Sequence, residues 1–208
     1  MIALIIFLLI VALVVNQLKK NVPNTATQKL FTVIRNAAFI GIFIAAIFSG
    51  IAQVGAGEAG VQVLFGSVQD GVLKSGLNFV NPLIDVEKMD VKTQAYTMSS
   101  IRDEGQQSGD DAISSLSMDG LTLKLDVTVW FRLSENDAPQ VYRTIGMDYV
   151  EKIVRPAVRT AIRDVSVGYS ATDIYSIKRE DFVRDITKNL ENAFNGRGII
   201  LERVLLRK

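Results

Sequence analysis

The sequence has 208 residues, with 23 Lys and Arg against 22 Asp and Glu, and it contains no histidine and no cysteine. Without cysteine the chain can form no disulfide, no thiolate metal site and no cysteine nucleophile. Without histidine it lacks the commonest general base and the commonest metal ligand, which excludes most enzyme templates. The near balance of charge leaves no basic footprint for nucleic acid, so we expect no nucleic-acid partner.

Two apolar stretches at the N-terminus predict a membrane anchor over residues 1–57. Residues 1–18 carry no charged side chain, and residues 36–57 form a second charge-free stretch of 22 residues. A helix needs about 20 mainly apolar residues to cross a hydrocarbon core, so we predict spans at about 1–18 and 37–54. The large apolar side chains assigned to the second span are Phe39, Ile40, Ile42, Phe43, Ile44, Ile47 and Phe48.

A basic segment between the two stretches sets the predicted topology. Lys19, Lys20, Lys29 and Arg35 lie there without any acidic residue. Basic residues in short loops remain in the cytoplasm. The sequence therefore predicts a transmembrane helical hairpin whose loop, residues 19–35, is cytoplasmic and whose following domain is extracytoplasmic. A cleavable signal peptide and an interfacial helix that does not span are the alternatives for the first stretch.

The chain after residue 57 is predicted to be a soluble domain that begins with short strands. Residues 61–65 are apolar except for Gln62, and residues 76–82 form a short extended piece that Pro82 ends. Residues 86–96 predict either a pair of strands or one irregular strand.

A polar segment divides this domain into two predicted parts. Residues 99–111 are rich in charged and turn-forming residues, which is typical of a mobile loop. We place the loop at 99–115, between a first subdomain at 58–98 and a second at 116–208.

The strongest strand signal runs from Leu121 to Leu133. Every second residue is apolar, and the residues between them are polar except for Trp130. This alternation predicts one long strand with a buried face and a wet face. We expect a neighbouring element to cover Trp130, and the alternative is that the ring is exposed for a partner.

Three helices are predicted after this strand. The first covers residues 137–145, and the second is kinked or broken near Arg155 by Pro156. The third covers residues 178–194, and residues 199–206 predict a final strand. Long strands followed by amphipathic helices and one last strand predict an α+β fold with a mainly antiparallel sheet and packed helices.

Two motifs resemble ligand sites but are better explained otherwise. Residues 55–60 match GxGxxG, but they follow an apolar span and open a strand, whereas a dinucleotide site opens a helix. Asp103, Glu104, Asp110 and Asp111 lack the spacing of a calcium loop, so a solvated acidic loop is favoured over a hard-cation site. We predict no catalytic residue, no cofactor and no metal.

A basic stripe is the one candidate contact site in the domain. Arg155, Arg159 and Arg163 recur every four residues, which places them on one side of a helix. The stripe is either a solvated polar face or a contact with acidic residues of the next copy in an assembly. We carry the second interpretation as a hypothesis for an oligomer contact.

Five segments in order resemble the SPFH (band 7) family, which includes stomatin, prohibitin, flotillin and the HflK/HflC proteins. The segments are residues 57–66, 76–82, 119–132, 141–146 and 153–159. The prohibitin branch looks closest, through the Tyr-Arg-Thr-Ile-Gly block ending at Gly146 and the closing segment at 198–202. The resemblance covers residues 55–208.

The resemblance implies an SPFH domain behind a membrane anchor and a role as a non-enzymatic scaffold. Members of the family form large homo-oligomeric rings or cages around a membrane microdomain, and the prohibitin and HflK/HflC branches restrain an FtsH-type AAA protease. The expected partners are therefore further copies of the chain, membrane lipid and such a protease. The expected location is the bacterial inner membrane, with the SPFH domain on the extracytoplasmic side.

Two alternative functions remain open at this point. One is an accessory subunit of a membrane protease with its own catalysis, against which the lack of histidine and cysteine argues. The other is a binding module that regulates lipid or a channel, as stomatins do. The long Ala/Glu-rich helix that usually follows the SPFH domain is not present in this sequence. Either the sequence is a piece of a longer protein or this member lacks that wall.

Overall fold

The computed structural model describes residues 2–20, 25–101, 104–106 and 109–207, and it divides into two compact units. The first unit consists of residues 1–54 and 76–85, and the second consists of residues 55–75 and 86–208. Helices and antiparallel strand pairs make up both units, so the described chain has an α+β fold.

The first unit contains two helices and a two-stranded ribbon. Helix α1 covers Ile2–Lys20 and helix α2 covers Thr25–Ser49. Strand β1 (Ile51–Val54) pairs antiparallel with strand β4 (Gly76–Phe79), so that Ile51 lies opposite Phe79. Small side chains are buried in the two helices: Ala12, Val15, Ala38 and Ala45.

Gly50 joins helix α2 directly to the ribbon. The backbone N–H of Val80, just after β4, donates to the carbonyl oxygen of Gly50 at 2.8 Å. A Cβ atom at position 50 would lie 2.9 Å from the carbonyl oxygen of Val80. Only glycine fits this close approach, and the far end of β4 is thereby fixed against the C-terminal end of α2.

The helix boundaries correct two predictions for the anchor. Helix α2 begins at Thr25, so Lys29 and Arg35 lie in a helix and not in the loop predicted at 19–35. The same helix ends at Ser49, and residues 51–54, predicted as part of the second span, form β1. Apolar composition does not separate a helix from a strand, and here pairing with β4 decides. Residues 21–24 lie outside the described chain.

Three small sheets form the strand part of the second unit. The first has the order β3-β2-β5, built from β2 (Glu58–Leu64), β3 (Ser67–Leu73) and β5 (Ile84–Asp90), whose first two residues belong to the first unit. The second has the order β10-β9-β6, and both of its pairs are antiparallel. Its strands are β6 (Gln94–Met98), β9 (Val127–Leu133) and β10 (Ile199–Leu206). The third pairs β7 (Ile113–Leu116) with β8 (Thr122–Leu125).

The helices of the second unit pack on these sheets around one apolar core. They are α3 (Ala138–Thr144), a π-helical turn (Val150–Val154), α4 (Arg155–Ser166), α5 (Ala171–Tyr175) and α6 (Arg179–Phe194). Helix α6 buries one residue about every four, and strand β9 buries its alternate residues against the helices. The largest fully buried side chains of this core include Phe131, Phe182, Phe194, Ile162, Ile186 and Leu190.

Most of the predicted helices are confirmed. Helices α3 and α6 and strand β10 lie within one residue of the predicted bounds. The predicted break near Arg155 is also present, because a π-helical turn gives way to α4 there and Pro156 occupies the first turn of α4. Proline is tolerated in that turn, where its missing N–H has no helical acceptor. Helix α5 was not predicted.

The long strand predicted from Leu121 to Leu133 is wrong, because two strands of different sheets replace it. The break falls at Asp126, whose buried carboxylate accepts hydrogen bonds from the N–H and the hydroxyl of Ser100 at 3.0 and 3.3 Å. Trp130 remains 39% exposed, so the predicted cover is also wrong. The surroundings of Asp126 and Trp130 depend on elements that are distant in sequence. The alternation of apolar and polar residues contains no information about those elements.

Two smaller strand predictions are refined. The region at 86–96 holds parts of two strands, β5 and β6, and they belong to different sheets. The polar loop predicted at 99–115 ends earlier, because residues 113–116 form β7.

Candidate membrane and assembly surfaces

Helix α2 has most of its large apolar side chains exposed, and Ala38 and Ala45 are buried. Phe39, Ile40, Phe43, Ile44, Ile47 and Phe48 are exposed, and Ile42 is partly buried. Among the described residues, one helix, from Gln28 to Ser49, is long and apolar enough to cross a membrane. A surface of this length and apolarity suits hydrocarbon rather than water, because an exposed apolar patch of this size is rare on soluble proteins.

Two of the four predicted topology residues, Lys29 and Arg35, have described side chains. Lys19 and Lys20 are the last residues of α1, and their side chains lie outside the described part of the chain. Lys29 is exposed near the start of α2. Arg35 lines a groove of about 390 Å³ together with Asn16 and apolar residues of both helices, and its guanidinium donates to the side chain of Asn36 at 3.3 Å.

The β1–β4 ribbon presents an apolar face to solvent beside the end of α2. Leu77 and Phe79 are 72% and 82% exposed, and they lie on one face because they are two residues apart in β4. Their partners across the ribbon are Gln53 and Ile51. Leu83, which follows β4, is exposed as well. This ribbon face is a candidate membrane contact that the sequence analysis missed, although the alternation of Leu77 and Phe79 signals it.

Two residues of the basic stripe bind an acid of their own chain. The carboxylate of Asp111, which is only 5% exposed, accepts from the guanidinium of Arg155 at 2.7 Å and also from that of Arg159. The hydrogen bond to Asp111 raises the pKa of Arg155. A buried carboxylate between two arginines is a fixed structural ion cluster, since removing either sign would leave a buried charge unpaired.

Tyr96 joins the same cluster from strand β6. Its hydroxyl donates to the carboxylate of Glu151 at 3.3 Å, and Glu151 lies 3.9 Å from the guanidinium of Arg155. Burial, with a smaller effect from Glu151, raises the pKa of Tyr96 to about 12. The phenol is therefore neutral at physiological pH and acts as a hydrogen-bond donor.

Arg163, the third residue of the stripe, is placed differently. Its side chain is exposed, makes no ion pair within the described residues, and donates through Nε to the carbonyl oxygen of Ser114 at 3.4 Å. It lines a groove of about 360 Å³ together with Leu116 and Val167. Leu116 and Val167 are exposed in this groove, and Met118 and Leu121 are exposed in the turn between β7 and β8; we call these four residues the β7–β8 patch.

The acidic residues of the polar loop pair with different bases. The carboxylates of Glu104 and Asp110 bind Arg207 and Lys124 at 3.1 and 2.9 Å, while Asp111 binds the stripe. Asp103 lies outside the described residues. Within the part that the structure describes, no three acidic residues converge as a metal site would require.

The glycine-rich segment at 55–60 leads into a strand. Strand β2 begins at Glu58, whose carboxylate accepts from the N–H of Gly55 at 3.0 Å, and the N–H of Val91 donates to the carbonyl oxygen of Gly57. No helix follows whose N-terminus would hold a pyrophosphate, as a dinucleotide site needs. The structure agrees with the prediction that this match to GxGxxG is structural.

Comparison with known proteins places the described domain in a family. The model of the SPFH domain / Band 7 family matches residues 52–208. That range takes in the whole second unit, strand β4 and all of strand β1 except Ile51.

Two curated relatives are similar to this chain. Prohibitin-7, mitochondrial, of Arabidopsis thaliana is 25% identical over 172 residues, which is 81% of this chain and 57% of that protein. Prohibitin-4, mitochondrial, of the same plant is 27% identical over 169 residues, which is 79% of this chain and 56% of that protein. The chain thus spans a little over half the length of the curated relatives it matches.

Proposed function

Because the chain belongs to the SPFH (band 7) family, we propose that it is a non-enzymatic membrane scaffold that assembles into a large homo-oligomeric ring or cage enclosing a membrane microdomain. The observation that carries the proposal is that the chain has two exposed apolar surfaces. One such surface covers α2 and the ribbon, and another is the β7–β8 patch beside Arg163. A single copy in water would leave both uncovered.

Membrane attachment is the first part of the proposal. Helix α2 crosses the bilayer, α1 completes a helical hairpin, and the apolar face of the ribbon lies in the interfacial region of the same membrane. Gly50 supports this arrangement because it fixes β4 to the end of α2. The positive charge near the start of α2 then stays in the cytoplasm, and the SPFH domain lies on the extracytoplasmic side of a bacterial inner membrane.

Assembly is the second part of the proposal. The contact that we propose involves one residue of the basic stripe, Arg163. Arg155 and Arg159 are held by Asp111 of their own chain, so Arg163 is the arginine available to a neighbour. We propose that Arg163 binds an acidic side chain of the next copy while the β7–β8 patch supplies apolar contact. Interfaces combine an apolar centre with arginine anchors in this way.

Restraint of an FtsH-type AAA protease within the enclosed patch is the third part, and it rests on the prohibitin-like family alone. An accessory subunit of a membrane protease and a lipid- or channel-regulating module are the competing functions. A large particle favours the scaffold over both, because neither alternative needs many copies.

The test of assembly compares two single charge reversals in the full chain in mild detergent. Arg163→Glu is expected to reduce the particle mass measured by light scattering from that of a large oligomer to that of a small species. Arg184→Glu is the matched control, because Arg184 is exposed on α6 and its one ion pair within the described residues is with Asp181, three residues earlier on the same helix. A native-size particle for Arg163→Glu would remove Arg163 from the interface, and a wild type that is itself small would reject the scaffold.

The test of restraint uses a reconstituted FtsH-type protease and a membrane-protein substrate in vesicles. Degradation is expected to slow when the wild-type scaffold is present and to recover with Arg163→Glu. Equal rates with and without the scaffold would reject the protease partner and leave the assembly proposal standing.

A further inference from the structure

Among the residues that the structure describes, strand β6 has a strand partner on one edge and none on the other. In the sheet of order β10-β9-β6, that partner is β9, and Tyr96 lies opposite Val129. An open strand edge presents a row of backbone N–H and C=O groups and is a ready template for another strand. In the folded chain these backbone groups need hydrogen-bond partners.

In the described part of the chain, the side chain of Gln106 binds two backbone groups of this edge. The N–H of Thr97 donates to Oε1 of Gln106 at 2.6 Å, and Nε2 of Gln106 donates to the carbonyl oxygen of Ala95. Ala95 and Thr97 are alternate residues, so their backbone groups point to the same edge of the strand. The carboxamide of Gln106 thus donates one hydrogen bond and accepts one, as a peptide group of a neighbouring strand would.

Gly105 allows this contact. A Cβ atom at position 105 would lie 2.7 Å from the carbonyl oxygen of Thr97, which is closer than a Cβ atom approaches a backbone oxygen. A residue with a side chain would therefore push this part of the chain away from β6. Gly105, which has no side chain, therefore lets the backbone approach the edge of β6, and Gln106 then places its carboxamide on that edge.

We propose that Gln106 guards the free edge of β6 against strand pairing with a second copy of this chain. The edge is self-complementary, because a two-fold axis through Tyr96 would set the carbonyl oxygen of Ala95 in one copy against the N–H of Thr97 in the other, and the reverse. Ala95 is exposed and small, so its side chain does not obstruct such a pair. Assembly through other surfaces is then protected from extension of the sheet. This inference does not depend on the proposed scaffold function.

The first test measures hydrogen exchange at the Thr97 amide in the full chain in detergent. Gln106→Ala removes both hydrogen bonds, and Gln106→Glu keeps the size of the side chain but loses the donor to Ala95. Gln106→Ala is expected to speed exchange of that amide by about tenfold, the effect of about one lost hydrogen bond, and Gln106→Glu to speed it less, because its carboxylate still accepts from Thr97 but is repelled by the carbonyl oxygen of Ala95. Gln140→Ala is the control, because Gln140 is an exposed residue of α3 whose side chain makes no hydrogen bond within the described residues. Unchanged exchange in both Gln106 variants would show that the residue guards nothing.

The second test identifies the occupant of the unguarded edge. Copies carrying Ala95→Cys and copies carrying Thr97→Cys are mixed and treated with a short bismaleimide, and these are the only thiols because the chain has no cysteine. Cross-linked pairs are expected when both copies also carry Gln106→Ala, and not when Gln106 is retained. Faster exchange without a cross-link would reject pairing with a second copy. Equal cross-linking with and without Gln106 would reject the guard. Neither readout uses particle size, so the result is independent of the scaffold proposal.

Discussion

At the scale of single residues, Asp110 and Asp111 show how burial changes the role of an acid. The two are neighbours in sequence, and each binds a basic side chain. Asp110 and Lys124 are both more than half exposed, whereas the side chain of Asp111 is almost completely buried between Arg155 and Arg159. Solvent screens the ion pair between Asp110 and Lys124. Little water can reach Asp111 to replace a lost arginine partner.

We therefore expect a large difference between two matched substitutions. Asp111→Asn should lower the free energy of unfolding by about 2–3 kcal/mol, because two partly buried guanidinium groups lose their counter-charge. Asp110→Asn should leave it nearly unchanged, because solvent screens an exposed ion pair. Urea unfolding of the full chain in detergent, followed by the fluorescence of Trp130, the single tryptophan, measures both. Equal losses would mean that the Asp111 cluster contributes no more than a surface pair.

At the scale of elements, the β1–β4 ribbon has little to stabilise it in water. It is a two-stranded ribbon of four-residue strands, and such ribbons are marginal unless a face is covered. Its exposed face carries Leu77 and Phe79, and the ribbon starts two residues after α2 ends. A bilayer interface would cover this face and would suit its aromatic ring.

This arrangement predicts opposite labelling results for two adjacent residues of β4. An NBD fluorophore on Phe79→Cys should be quenched by brominated lipids in vesicles, whereas the same fluorophore on Asn78→Cys should be quenched several-fold less. Neighbouring residues of a strand point to opposite faces, so the pair controls for position along the chain. Equal quenching at both positions would mean that neither face of the ribbon contacts the lipid in preference to the other.

At the scale of the whole molecule, the distribution of charge along the anchor sets the expected orientation. The cations near the start of α2 face no acidic residue in the first 57 positions, and moving them across a membrane is unfavourable. The SPFH domain is therefore expected on the opposite side from the start of α2.

Two introduced cysteines test this orientation in intact cells. Ser67→Cys, on an exposed position of β3, should react with an impermeant thiol reagent added from outside. Thr25→Cys, at the first residue of α2, should react only after the membrane is permeabilised. The reverse pattern would overturn the orientation, and reaction at both positions would mean that α2 does not span.

The sequence by itself determined the features that depend on local periodicity. The apolar spacing of Phe182, Ile186 and Leu190 identified α6, and Pro156 identified the break before α4. The mostly apolar segment at 199–206, after Gly198, identified β10, and the order of five segments identified the family. Each signal lies within a few residues of the element it describes, so neighbouring positions carry it without help from distant parts of the chain.

Only the tertiary structure decided the features that depend on distant partners. β1 is a strand because β4, more than 20 residues later, pairs with it, and Asp126 interrupts a run of alternating residues because Ser100 binds it. The basic stripe looked like one surface, but Asp111, about 45 residues earlier, takes two of its arginines and leaves Arg163 outside. Hydrogen bonds and ion pairs across such separations depend on how the chain folds back on itself, and local spacing contains no record of that path.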